Sequence, residues 1–346
     1  MKTLNNAIIF YFSGTGNSRQ IASWFSACAA ENKVSCPTFD IASKDIAKHL
    51  QEIDSDSIIV IVSPIHGFNY PKITLDFIRN FPKGNNQVVL MNTRAGMKIG
   101  NWITPGLTGV AFFLSTYILK KKGYLIVGQI PFDMPSNWLS IHPALRKDAI
   151  QFIYEKNHKS LQSHFNKLYA GEIDFASRKE VIQDLLISPI ALAYYLVGRY
   201  FFAKSYYASL KCNHCERCIR ECPVKAIRTI NSRPFWSIKC ESCMKCMNNC
   251  PLNAIETTHG LWLVILLLAS STGTFLFHYI LPNVHLPWMI SFLIFNLLLF
   301  AFLLIGYRIQ HWALSHKLIG KLITFTSLTH YKWWGRYKAN QDQAKA

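Results

Sequence analysis

The sequence predicts an α/β chain. A doubly wound parallel sheet occupies residues 1–170, a small α+β domain 211–260, and a two-helix transmembrane hairpin 261–306. Three observations predict this. Short apolar runs alternate with helix-length stretches through the first half of the chain. Eight of the ten cysteines fall between Cys212 and Cys250, in two regular groups. Residues 261–306 contain no Asp, Glu, Lys or Arg.

The apolar runs are Ala7–Phe12, Val34–Phe39, Ile58–Ser63, Val88–Asn92 and Tyr124–Ile130. Continuous apolar strands separated by helices predict a sheet covered on both faces. The final helix of this unit is placed at Pro143–Ala170. Only six apolar residues follow Lys2 before a glycine turn, with no small-residue cleavage site, so no signal peptide is expected. Residues 171–210 form a bridge whose apolar part, Leu185–Ala203, carries Pro189 and Arg199. The proline and the charge argue for a buried or interfacial helix rather than a span. Within 211–260 a 28-residue repeat carries Cys212, Cys215, Cys218 and Cys222 onto Cys240, Cys243, Cys246 and Cys250, and Pro223 and Ala226 onto Pro251 and Ala254. Leu261–Leu281 and Leu286–Gly306 are each long enough to cross a bilayer, joined by a short uncharged link at Pro282–His285. Basic residues flank both outer ends, which places those ends in the cytoplasm. The remaining segment, 307–346, reads as a basic interfacial tail. A helix from Arg308 to Lys338 would lie along the membrane, with Tyr331, Trp333, Trp334 and Tyr337 as anchors.

The net charge of +18 is spread along the chain rather than gathered on one motif, so it points to a membrane surface and not to nucleic acid. Half the residues are apolar and only 16% are charged, which excludes a disordered chain. The cysteines do not make a small disulfide scaffold. Cys28 and Cys36 stand alone and read as ordinary buried thiols.

Each cysteine group has the form C-x2-C-x2-C-x3-C-P. This is the run of bacterial two-cluster ferredoxins, in which the fourth cysteine ligates the other cluster. One [4Fe-4S] cluster would therefore take Cys212, Cys215, Cys218 and Cys250, and the other Cys240, Cys243, Cys246 and Cys222. Two zinc knots are the competing reading, but zinc usually pairs a CxxC with a distant second pair.

Ser13-Gly14-Thr15-Gly16-Asn17-Ser18 follows the first strand and opens a helix. Its glycines let the backbone curl round an anion, and its hydroxyls and helix N-terminus supply donors. It is neither a Walker loop nor GxGxxG. Two more loops follow the third and fourth strands, where ligands of open α/β sheets bind. One holds Pro64, His66, Gly67 and Phe68, where His66, Phe68 or Tyr70 offers a stacking face. The other holds Asn92, Thr93, Arg94 and Gly96, whose backbone offers polar contacts. Three loops at three strand ends favour a flavin.

The strand and SGTGNS resemble the phosphate loop of flavodoxins. With the cysteine run, the chain to about residue 256 resembles bacterial fusions of a flavodoxin-like domain with a two-cluster ferredoxin, the EFR-type ferredoxin family. Met134-Pro135-Ser136-Asn137-Trp138 shares in that resemblance. It implies FMN in the first domain and two [4Fe-4S] clusters in the second. The hairpin and basic tail depart from the common pattern. No acid/base or nucleophile constellation stands out. The expectation is a membrane-anchored electron-transfer protein at the inner membrane, both redox domains cytoplasmic, serving redox partner proteins. A quinone or lipid oxidoreductase is the alternative, as is a tethered ferredoxin whose first domain only docks a partner. His278, His285, His311 and His316 read as interfacial side chains rather than haem or quinone ligands, and there is no CxxCH for covalent haem.

Overall fold

The computed structural model describes residues 4–51, 53–280 and 287–335. The link at Pro282–His285 and the tail residues Arg336, Tyr337 and Lys338 lie outside the described residues.

Five parallel strands form the first sheet: β1 (Ala7–Tyr11), β2 (Thr38–Asp40), β3 (Ile58–Pro64), β4 (Gln87–Gly96) and, after a small hairpin of β5 (Lys98–Ile99) and β6 (Trp102–Ile103), β7 (Leu125–Pro135). The spatial order is β2-β1-β3-β4-β7, the flavodoxin-like order, which reverses direction between β1 and β3. Alternation of side chains builds two cores. Ile9, Val60, Val62, Val89 and Met91 face α1 (Asn17–Glu31) and α5 (Lys147–Tyr169), meeting Ile21, Phe25, Leu161 and Phe165. Ile8, Phe10, Ile59, Ile61, Val88 and Leu90 face α3 (Lys72–Asn80) and α4 (Ala111–Lys121), meeting Leu75, Ile78, Phe112 and Leu119. A short α2 (Ile46–Gln51) follows β2. Burial on both faces is why the strands read as unbroken apolar runs.

Strand lengths differ from the sequence expectation where it matters for the site. β4 and β7 stay paired out to Gly96 and Pro135, beyond the apolar runs that announce them. Polar residues extend them because backbone hydrogen bonding continues after the buried stretch ends.

The bridge is one helical rod. α6 (Val181–Ala193), a π turn at Tyr194–Gly198 and α7 (Arg199–Ala203) run without a break, and Pro189 sits inside. It is not a buried helix: Ile182 is 77% exposed, and Leu185, Leu186, Ile190, Leu196 and Val197 are exposed with it. Its anchored face holds the buried Asp184, which accepts from the Thr108 and Gly109 amides at 3.1 and 2.7 Å.

The cysteine domain pairs β8 (Tyr206–Ala208) with β11 (Ile255–Thr257), and β9 (Ile227–Ile230) with β10 (Arg233–Trp236), both antiparallel. Two one-turn helices, α8 (Arg217–Arg220) and α9 (Lys245–Asn248), lie one repeat apart. So do the left-handed residues: His214, Glu216 and Lys225 in the first copy match Ser242, Met244 and Asn253 in the second. The repeat is thus one of backbone shape as well as of cysteines.

α10 (His259–Phe275), prolonged by a π turn to Ile280, and α11 (Trp288–Ala313) pack antiparallel, Gly306 lying over Leu261 and Ile265. With the rod 176–203, three helices among the described residues are long and apolar enough to cross a membrane. The tail departs from one long interfacial helix. α11 absorbs Arg308–Ala313, the chain breaks at Leu314–His316, and α12 (Lys317–Phe325) is a separate short helix exposing Leu318, Leu322 and Phe325. Trp334 is no anchor. It is buried, its Nε1 donates to the Leu139 carbonyl at 2.7 Å, and its own carbonyl accepts from Ala144. Nor is His311 interfacial: it is buried, with Nε2 at 3.0 Å from the Ile230 carbonyl.

Candidate functional site

A cavity of about 490 Å³ opens beyond the carboxyl ends of β1, β3, β4 and β7. Its floor is the loop after β1. The Gly16 amide donates to Ser13 Oγ at 3.1 Å, closing the turn, and Gly16 takes φ 109°. No side chain caps the 15-residue α1, so its N-terminal dipole faces the loop unneutralised. Ser18 Oγ lies 2.8 Å from Thr93 Oγ1. Asn17 Nδ2 donates to the Pro135 carbonyl at 2.9 Å, and Asn137 Nδ2 donates to Thr15 Oγ1. The phosphate-type loop is therefore laced to the ends of β4 and β7.

One wall is the turn His66–Asn69. The His66 amide donates to the Asn69 carbonyl at 2.8 Å, and both central residues are left-handed, Gly67 at φ 55° and Phe68 at φ 65°. This is the type I′ pattern. A phenylalanine there is strained, and Phe68 borders the cavity. Gly67 is required twice over: a Cβ would also sit 2.1 Å from the Tyr194 ring.

Of the sequence-predicted residues, Ser13, Gly14, Thr15, Asn17, Ser18, Pro64, His66, Gly67, Phe68, Thr93 and Arg94 border the cavity. Gly16, Asn92 and Gly96 do not. Gly16 shapes the turn, Asn92 turns its amide to Thr108 Oγ1 at 3.3 Å, and Gly96 backs onto the Asp133 carbonyl. The Arg94 guanidinium is committed elsewhere, held by Asp133 at 2.7 Å and Glu180 at 2.6 Å. Tyr70 is no platform either: it is buried and donates to the Met91 carbonyl. Sequence reasoning missed Tyr194, His142, and the Ser242–Met244 stretch of the cysteine domain, all of which border the cavity. No periodicity announces them, since each comes from a different part of the chain.

The donor set fits a flavin nucleotide. His66 Nδ1 and Trp138 Nε1 border the cavity, shut from solvent without a hydrogen-bond partner. An unpaired buried polar atom calls for a partner, and a bound ligand would supply one to these two. Phe68, Trp138 and Tyr194 line the space together with the Ser13–Ser18 loop.

Burial pushes the His66 imidazole down to about 4 from its ordinary 6.5. Between these values the unfolded chain holds the proton and the folded chain does not. Stability is thus full above pH 6.5 and declines as pH falls toward 4, by roughly 2 kcal/mol at pH 5. Thermal unfolding in detergent at pH 7 and 5 checks this. His66→Gln is expected to lack that part of the decline, and equal declines would exonerate His66.

The cysteines ring two small cavities. Cys212, Cys215, Cys218 and Cys250 surround one, and Cys222, Cys240, Cys243 and Cys246 the other. Two separate quartets, each round its own space, fit the two-cluster reading of the cysteine runs. Burial pushes the Cys240 and Cys246 thiols far up and Cys218 up to about 12. Thiolates here need a cationic core among them. The Ala226 and Ala254 amides each reach a cysteine sulfur at 3.2 Å, Cys222 and Cys250.

The two sites touch. A Cβ on Gly14 would lie 2.3 Å from the Cys243 carbonyl oxygen, so the anion loop and the second cysteine quartet meet backbone to backbone. Glu241 braces the contact by accepting from the Lys72 amide at the start of α3, at 3.0 Å.

Residues 211–255 match the family model of the 4Fe-4S dicluster domain. The chain is an iron–sulfur protein, its cysteine domain one that takes [4Fe-4S] clusters. No curated protein matches the chain. Among solved structures it is similar to rubredoxin oxygen:oxidoreductase of Desulfovibrio gigas, at 16% identity over 49% of this chain and 37% of that one, with a TM-score of 0.33. The match thus spans little more than a third of the Desulfovibrio protein. A flavodoxin from the domain Archaea is 12% identical over 46% of this chain and 99% of its own, with a TM-score of 0.30. The flavodoxin of Megasphaera elsdenii is 15% identical over 44% and 98%, with a TM-score of 0.28.

Proposed function

We propose that the chain is a membrane-held relay passing electrons between FMN, bound at the ends of β1 and β3, and two [4Fe-4S] clusters. The contact of Gly14 with Cys243 carries this reading. FMN supplies one- and two-electron chemistry, and the clusters supply single-electron steps. The residues of the chain set the distances. Ser13, Thr15, Ser18 and the α1 N-terminus hold the phosphate. Phe68, Trp138 and Tyr194 exclude water from the ring. Gly14, lacking a side chain, lets the Cys243 backbone close on the loop. Cys240, Cys243, Cys246 and Cys222 hold the cluster beside the flavin, and Cys212, Cys215, Cys218 and Cys250 hold the outer one.

The same contact bears on the membrane. If the rod 176–203 crossed a bilayer, the domains it joins would lie on opposite sides. Their direct packing makes the rod a surface helix, its exposed stripe of Ile182, Leu185, Leu186 and Ile190 laid on the lipid. The hairpin α10–α11 is then the anchor, with the redox domains on the cytoplasmic side.

Anaerobic purification in detergent, with FMN, iron and sulfide quantified after denaturation, tests the relay. About one FMN beside about eight irons, from two four-iron clusters, is expected. Eight irons with no flavin, even after FMN is added, would make the first domain a docking scaffold.

A further inference from the structure

A second cavity, of about 560 Å³, lies away from the flavin site, at the C-terminal end of α11. Its polar wall is three cations round one ring. Lys204 Nζ sits 4.4 Å from the centre of Phe235, with the Arg308 and Arg228 guanidinium carbons at 5.2 and 5.6 Å. Lys204 is only 5% exposed, and its one hydrogen bond is to the Trp236 carbonyl at 2.6 Å, which leaves two of its N–H donors over. Among the described residues no carboxylate pairs with Lys204, Arg228 or Arg308. Burial first, then the two arginines, push the Lys204 ammonium down to about 8. Lys204 is buried beside two exposed guanidiniums, and the three together form a basic pocket that favours an anion.

The other wall is apolar, from Leu304, Ile305 and Ile309 of α11. Arg308 is the first charged residue after the uncharged stretch, so in a bilayer it stands at headgroup depth. We propose that this cavity binds an anionic phospholipid, the phosphate among Lys204, Arg228 and Arg308 and an acyl chain along Leu304 and Ile305. A free phosphate would satisfy the cations but leave the apolar wall uncovered. A neutral amphiphile would leave the cations uncompensated. Basic pockets beside transmembrane helices on the cytoplasmic side recognise such headgroups.

This rests on the membrane reading, so the two are tested apart. Alkaline carbonate washing of membranes holding the full chain tests insertion, and release into the wash would end the anchor itself. The pocket is tested by titrating the detergent-solubilised, cluster-loaded chain with dioleoylphosphatidylglycerol or dioleoylphosphatidylcholine and counting bound lipid by native mass spectrometry. The phosphatidylglycerol is expected to bind at least about tenfold more tightly. Removing two surface cations in R228Q/R308Q predicts about a thirtyfold loss, whereas K317Q/K321Q, on the tail helix, should stay within about twofold. Both arginines are exposed, so the double variant should fold even if Lys204→Met does not. Equal binding of the two lipids overturns the proposal. So does an R228Q/R308Q variant that binds as the parent does, or displacement of the lipid by inorganic phosphate at the same concentration.

Discussion

Cys243→Ala is expected to lower bound iron from about eight to about four per chain, to leave flavin content near one, and to stop electrons passing from reduced flavin to the remaining cluster. Two observations set the expectation. Cys243 stands with Cys222, Cys240 and Cys246 round one cavity, and it meets Gly14 through its carbonyl and Cβ, both of which alanine keeps. Deleting the sulfur removes a ligand and leaves the contact. Cys212→Ala is the matched control. It should also lose about four irons, yet keep transfer from flavin to the inner cluster, because Cys212 rings the other cavity. Iron and flavin assays with anaerobic photoreduction, read by cluster absorbance and electron paramagnetic resonance, check both. If the two variants lose transfer equally, the inner cluster is not the one beside the flavin. Cluster ligation contributes folding energy, so circular dichroism of each variant must match the parent before the comparison is made.

Gly67→Ala is expected to destabilise the chain by about 2–5 kcal/mol and to release the flavin. Two costs add. A left-handed backbone costs a non-glycine residue about 1–2 kcal/mol, and Gly67 has φ 55°. Overpacking costs about 1–3 kcal/mol more, because the new Cβ would lie 2.1 Å from the Tyr194 ring. Tyr194→Ala separates them. In that background the clash is gone, and alanine at 67 should cost only the backbone share. Denaturation of all four chains in detergent gives the coupling between the two positions. A coupling near zero would show that Tyr194 does not press on the turn.

Much of this chain was legible because the signals are local. Ala7–Phe10, Ile58–Ser63 and Val88–Met91 are buried on both faces, and burial on both faces leaves unbroken apolar runs at once. The spacing of Cys212 to Cys222 and Cys240 to Cys250 is set by how a short backbone loop wraps a cluster, so the spacing itself carries the information. The SGTGNS loop was legible for the same reason, since a tight turn into a helix needs its glycines in place.

What stayed hidden depends on surfaces meeting across long stretches of chain. Nothing near Gly14 announces Cys243, and nothing near Gly67 announces Tyr194. The rod 176–203 has the length and apolarity of a span. Only the packing of the two domains it joins supports reading it as a surface helix instead. Trp334 looked like a membrane anchor because an aromatic among basic residues is locally indistinguishable from one, yet it docks on the Leu139 carbonyl. Lys204, Arg228 and Arg308 are scattered in the sequence and gather only round Phe235. The sequence alone determined the elements and the cysteine sets, because periodicity and spacing are properties of neighbouring residues. Tertiary structure decided which strand end faces which cysteine quartet and where the cations gather, because proximity between distant segments follows from complementary surfaces, which no local pattern records.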